Sequence, residues 1–285
     1  MSNYVLIANN TCDLPEELLK ELDVTVLPLG FTIGDDNYKT MPVKEFYQKV
    51  REGAMPSTNA ANVGEYVDLF EPALEAGKDI LCLAFSSGLS TTYNSAVIAA
   101  EEMAEKYPDR KILLVDTLAV CLGEGLLVRG AAERRLAGES MEAVRDWVEE
   151  TKLKVAHWFT VNDLGHLKRG GRISGAQAVI GGMLGVKPIL RVNDEGRLVS
   201  AGKARGRAAA LAELQTQLEK SGVNFAEETV YIAHADCEED ALKFAEEVRV
   251  KLNPKEVFVN FVGPVIGSHT GIGVIAVLYL ATGRE

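Results

Sequence analysis

ILCLAFSSGLSTTYNSA, residues 80–96, joins an apolar run of strand length, a hydroxyl-rich turn around Gly88 and a small-residue helix that starts near Thr92. A buried strand that breaks into a turn and resumes as a helix leaves backbone N–H groups and hydroxyls aimed at one spot. Two jobs suit that spot. Serines ahead of a helix cap it, and the free N–H groups and dipole of a helix N-terminus hold a carboxylate or a phosphate.

The same strand-to-helix texture recurs on both sides. Residues 4–8 read as a buried strand and Asp13-Leu14-Pro15 as the opening of a helix to Leu22; residues 24–29 make the next strand, extended by a hairpin over 31–38. Residues 43–51 and 63–76 carry apolar side chains at the helical period, with a polar break at 56–59 between them. A strand at 111–115 precedes helices over 120–136 and from Ser140. Strands alternating with long helices predict a mainly parallel sheet covered on both faces, with ligands at the carboxyl ends of its strands. The loops after Ala8, Phe85 and Val115 are therefore candidates to line a site.

Around Lys154 the pattern restarts, which predicts two α/β domains, 1–154 and 155–285. The second holds a strand at 155–161, a short helix at 163–168, a tight basic turn at 169–175, a small-residue helix at 176–184 and a hairpin around Asn193-Asp194-Glu195-Gly196. Helix and strand then alternate to a glycine-rich segment, GPVIGSHTGIG at 263–273, read as strand, turn and helix start, and a last strand at 274–280.

Composition narrows the function classes. The 285 residues are 47% hydrophobic and 25% charged, and 41 acidic against 30 basic residues leave a net charge of -11, which repels nucleic acid and anionic membrane surfaces. No nucleic acid partner and no membrane insertion are expected. Cys12, Cys82, Cys121 and Cys237 lie far apart without metal-ligand spacing, so neither zinc nor another metal is predicted. The start, MSNYVLIANN, lacks the basic region and long apolar run of a signal peptide, and a cytoplasmic protein is the expectation. Neither a P-loop nor G-x-G-x-x-G after a strand is present, which removes the best support for a bound nucleotide, and no cofactor is expected. G-x-S-x-G is missing as well, so a serine esterase or thioesterase using Ser90 with His269 and an acid such as Asp116 has no local signature. His269, among glycines, suits either a satisfied structural role or a hydrogen bond to a nearby carboxylate. Arg172 suits either a solvated turn or a positive field beside that carboxylate.

Five motifs in order, PSTNAAN (56–62), SSGLSTTYNSA (86–96), GGRISGAQA (170–178), GVKPIL (185–190) and GPVIGSHTGIG (263–273), resemble the DegV family, whose members include the fatty-acid-binding component of bacterial fatty acid kinase. The resemblance spans nearly the whole chain. It implies a DegV-like pair of α/β domains with a long-chain fatty acid such as palmitate held between them, and a non-catalytic, lipid-binding subunit that presents the carboxylate to a separate kinase catalytic subunit for acyl phosphate formation. Carried onto this chain, it makes Thr58, Ser90 and His269 the carboxylate-binding groups, with Arg172, Ser87 and Asn59 in support. Ile173, Gly182, Met183, Leu184 and Ile189 become the expected tail lining. Separately, the basic run Lys203, Arg205 and Arg207 beside the second hairpin suits either a solvated charged turn or a docking surface for the kinase. Several positions depart from the family pattern: Asn9-Asn10 replaces Asp-Ser, Asn59 and Ala61 replace Ser and Pro, Thr91 replaces Gly and Ile272 replaces Pro.

Overall fold

In the chain's first half β1 (Tyr4–Asn9), α1 (Glu16–Glu21), β2 (Val24–Leu27), β3 (Phe31–Ile33), β4 (Asp36–Tyr38), α2 (Val43–Arg51), β5 (Ser57–Thr58), α3 (Val63–Glu75), β6 (Asp79–Ala84), α4 (Thr92–Lys106), β7 (Ile112–Asp116), α5 (Leu122–Leu136) and α6 (Met141–Thr151) follow in order. The structure is a computed structural model and describes residues 3–162, 164–173 and 185–284. Four strands form a wholly parallel sheet in the order β2-β1-β6-β7. The alternation of apolar strands with long helices dictates this arrangement, since parallel neighbours need a crossover between them. The expected hairpin forms, but instead of extending β2 it pairs with β5 in a separate three-stranded sheet, β4-β3-β5. The register Phe31↔Thr58 converts the polar break at 56–59 into an ordered edge that carries Thr58. The helix expected from Asp13 begins at Glu16; residues 10–12 form a 3-10 turn and Asp13 turns left-handed at φ 52°.

The second half contributes β8 (Val155–Thr160), α7 (Gly165–Arg169), β9 (Val186–Val192), β10 (Leu198–Arg205), α8 (Arg207–Lys220), β11 (Thr229–His234), α9 (Glu238–Leu252), β12 (Glu256–Phe261), α10 (Pro264–Thr270) and β13 (Ile275–Leu280). Its six strands run β10-β9-β8-β13-β11-β12, and only β11 and β12 pair in parallel. The hairpin around 193–196 makes β9 and β10 antiparallel, and β13 enters the middle of the sheet against its neighbours. The glycine-rich segment at 263–273, expected as strand, turn and helix start, contains the helix Pro264–Thr270, with Pro264 in its first turn, followed by a turn at 272–273.

Helix α5 positions everything at the centre. It packs against β8, β11 and β13 of the six-stranded sheet while following directly from the parallel sheet, and most of its residues are buried. Helices α3 and α4 cover the parallel sheet on one side, and α8 and α9 cover the outer face of the six-stranded sheet. One core runs through both sheets and a second lies beneath α8 and α9. Burial alternates strictly along the six-stranded sheet: Phe159, Leu190 and Leu278 face the central core, while Trp158, Ile189 and Val277 face the outer one.

Candidate functional site

The turn after β6 is built by its own hydroxyls. Ser86 Oγ accepts from the Gly88 N–H at 3.2 Å and donates to the Gly196 carbonyl at 2.8 Å, tying the turn to the tip of the β9–β10 hairpin. Ser90 Oγ accepts from the Thr92 N–H at 3.2 Å and lies 2.9 Å from Thr92 Oγ1. Thr92 Oγ1 in turn receives the Ala61 N–H at 3.3 Å, so the loop that carries Thr58 and the turn that carries Ser90 are pinned to one another. Capping and site-building thus coincide in the same serine.

Thr58 Oγ1 lies 2.7 Å from His269 Nε2, across 211 residues of sequence. The imidazole is wedged against Gly170, where a Cβ would stand 2.1 Å from Nδ1, so nothing larger than glycine fits with the ring in place. Burial, assisted by the positive field of Arg172, lowers the imidazole's pKa to about 4 and keeps it neutral. With the proton on Nε2, His269 donates to Thr58 and leaves the threonine O–H free to donate onward. Arg172 is fixed over the same spot: its Nε donates to the Leu89 carbonyl at 3.2 Å and one terminal nitrogen donates to the Gly170 carbonyl at 2.5 Å.

Thr58, Asn59, Ser90, Arg172 and His269 line one cavity of about 50 Å³ together with Leu29, Phe85, Leu89 and Val265. A second cavity, also of about 50 Å³, shares Val120, Leu198, Ile266 and Thr270 with it and is lined further by Phe159, Val192, Ala276, Leu278, Cys121 and His157. The pair forms one slot, polar at the mouth and apolar inside, between the start of α5 and the inner face of the six-stranded sheet.

The other expected residues fall elsewhere. Ser87 is exposed and does not line the slot; its N–H donates to Asp116 at 3.1 Å. Ile173 is buried and forms a backbone bridge with Leu198. Ile189, expected in the tail lining, lies instead in the outer core with Ala210 and Leu214, because strand alternation turns it away while Val192 faces the slot. Gly182, Met183 and Leu184 lie outside the described residues. Of the basic run, Arg207 is engaged by Asp240 at 3.1 Å and by the Gly273 carbonyl at 2.5 Å, whereas Lys203 and Arg205 are exposed on the edge strand β10. The slot-facing residues of β8 and β13 were missed by sequence reasoning; the alternation of 157 and 159 and of 276 and 278 was the signal available for them.

Behind the site, Asn9 is fully buried. Its Oδ1 accepts from the Phe85 N–H at 2.9 Å and its Nδ2 donates to the Tyr66 hydroxyl at 3.1 Å. Asn10 makes a two-point pair with the backbone of Leu29, at 2.9 and 3.3 Å. The amides standing in place of Asp-Ser therefore satisfy the backbone of two slot-lining residues without burying a charge.

An esterase needs its serine hydrogen-bonded to its histidine. Here Ser90 Oγ is bonded to Thr92 and His269 Nε2 to Thr58, while the Asp116 carboxylate accepts from the N–H groups of Ser87 and Leu118. That assembly is not a triad. Among the described residues no group of His, Cys, Asp or Glu is arranged to hold a metal ion, and no helix is long and apolar enough to cross a membrane.

The model of the DegV family, described as an uncharacterised protein family, matches residues 4–282. The chain belongs to the DegV family. A DegV domain-containing protein of Clostridium perfringens is 48% identical over 100% of both chains. Among solved structures, a fatty-acid-binding DegV family protein from Thermus thermophilus superposes with a TM-score of 0.88 at 35% identity, covering 98% of this chain and 99% of its own. A stearic-acid-binding protein from Eubacterium ventriosum superposes with a TM-score of 0.85 at 26% identity and covers 98% of each chain. The α/β architecture is thus shared with both of these solved structures.

Proposed function

We propose that this DegV protein binds a long-chain fatty acid in the slot, with Thr58, Ser90 and His269 at the carboxylate and Arg172 and Asn59 beside it, and presents the head group to a separate kinase that makes the acyl phosphate. The observation that carries the reading is the adjacency of two cavities that share four lining residues, one with polar groups at its mouth and the other apolar. The stearic acid and fatty acid binding of the structural relatives supports the ligand class. The two sheets act as two lobes, 1–154 and 155–285, and the acid lies between them in a bacterial cytoplasm.

Each part of the ligand meets suitable chemistry. A C16 tail buries roughly fifteen methylenes at about 0.8 kcal/mol each, a gross gain on the order of 12 kcal/mol before ordering and association costs. The hydroxyls contribute less energy and set direction, since charge-assisted hydrogen bonds to a carboxylate have tight geometry. Arg172 supplies a positive field at the mouth that overrides the distant, screened charge of the surface. Organic extraction of purified protein followed by mass spectrometry tests the reading. It is expected to release a long-chain acid at one equivalent from wild type and much less from Thr58→Ala with Ser90→Ala. An empty extract from protein made in lipid-replete cells overturns it.

A further inference from the structure

The buried acid Asp13 touches both walls of the slot yet contacts neither cavity. It follows the 3-10 turn after β1, its carbonyl accepts from Asn260 Nδ2 at 2.7 Å, and its side chain is only 7% exposed. Its Oδ1 lies against Gly263, where a Cβ would stand 2.5 Å away. The Gly263 N–H and the Cys121 thiol both favour its charged form, while Oδ2 has no hydrogen-bond partner of normal geometry. Cys121 lines the apolar part of the slot, and Gly263 begins α10, which carries Ile266, His269 and Thr270.

We propose that Asp13 is a positioning residue for the head site: its carboxylate, wedged between the Cys121 thiol and the Gly263 backbone, sets where α10 begins and so holds His269 against Thr58, making ligand retention respond to the charge on Asp13. The proposal rests on the fatty-acid reading only for the words "ligand retention"; the effect on His269 stands without it. The other supports of α10 are Tyr47 O–H donating to the Val262 carbonyl at 2.7 Å, Phe46 and Tyr47 packing under Gly267, and the titratable ring of His166 against Gly271, so the Asp13→Asn control below is what assigns a pH response to Asp13.

The groups that face Asp13 are Cys12 from its own turn, Cys121 and Glu124 from the start of α5, and Tyr47 from α2. Burial pushes all four toward their neutral forms, so none supplies a compensating charge. Burial also raises Asp13 to about 7, against the pull of Cys121 and Gly263. A hydrogen bond to a carboxylate is about twice as strong as one to a neutral acid, so protonation loosens the grip on Gly263.

The test reads His269 directly in delipidated protein. The ring nitrogens of histidine-labelled protein are followed by NMR from pH 5.5 to 8.5, with His269 assigned through His269→Asn. The expected result is a step in the His269 signal centred near pH 7, far above the ring's own protonation, that disappears in Asp13→Asn. Cys121→Ala, which removes one group favouring the carboxylate, is expected to move the step to higher pH and keeps the test open should Asp13→Asn not fold. A His269 signal that shows no step near neutrality, or one that persists in Asp13→Asn, overturns the proposal. Titration with the fluorescent acid cis-parinaric acid then reads retention: roughly tenfold weaker binding at pH 6 than at pH 8 in wild type, and no such difference in Asp13→Asn. A His269 step without any parinarate binding overturns the fatty-acid reading and leaves Asp13's role standing.

Discussion

Gly170→Ala isolates the head clamp because its only consequence is steric. Gly170 sits at φ -70° and ψ -13°, a conformation alanine adopts without strain, and its N–H bonds to the His166 carbonyl at 2.9 Å regardless of side chain. The new methyl would stand 2.1 Å from His269 Nδ1 and 3.0 Å from Cε1, against 3.4 Å for ordinary contact. The ring must retreat by more than an ångström, and the 2.7 Å bond to Thr58 cannot survive that movement. Loss of one hydrogen bond in a chain that ends on a carboxylate costs about 1.5–3 kcal/mol, or roughly 10- to 100-fold in affinity. Overpacking adds about 1–3 kcal/mol of destabilisation, which a thermal melt reads separately. The assay is displacement of cis-parinaric acid by palmitate, with Thr58→Ala and the double variant closing a cycle. Because both substitutions break the same bond, their effects should fall well short of additive. Affinity within twofold of wild type for Gly170→Ala, or full additivity with Thr58→Ala, refutes the reasoning.

Two further outcomes follow from the slot. Ala276 is buried on its apolar wall, so Ala276→Phe should displace several methylenes at about 0.8 kcal/mol each, weakening palmitate by roughly 100-fold or more while sparing acids of eight to ten carbons; displacement titrations across a chain-length series check this. His157 is lowered from 6.5 to about 3, first by burial and then by Arg284, so the unfolded chain takes up its proton before the folded one does. Its contribution is complete above pH 6.5 and is lost as the pH falls toward 3, on the order of 5 kcal/mol in all. Denaturant melts of His157→Gln should show a shallower loss of stability over that window, and an unchanged slope would count against the assignment.

How much of this was legible in the sequence varied with the range of the interactions involved. The strand at 80–84, the helix at 43–51 and the hairpin around 193–196 announce themselves locally, through an apolar run, a helical period and turn chemistry. β5 does not, because its two residues are held by distant partners, cross-strand pairing with β3 and the bond from Thr58 to His269. The helix α10 was hidden by its glycines, which suit close approach to Tyr47 and His166 and depress helical propensity, although Pro264 in the first turn marked its start. The antiparallel order of the second sheet arises because β13 returns from the chain's end into its middle, which no local pattern encodes. Thr58, Ser90 and His269 were singled out through motifs and line one cavity, yet the Thr58–His269 pair spans 211 residues and Gly170 beneath it was visible only in three dimensions. Ile189 shows the opposite failure: a correctly located strand read on the wrong face, where a one-residue shift in parity exchanges slot for outer core.

The claim on which the account depends is that a fatty acid's carboxylate sits at Thr58 and Ser90. Carbon-13 NMR of palmitate labelled at its carboxyl carbon, bound at one equivalent, addresses it directly. The account predicts a single bound resonance at pH 8, at the shift of an ionised carboxylate, that moves or is lost in both Thr58→Ala and Ser90→Ala. A bound resonance unchanged by either substitution, or no bound resonance at all, would contradict it.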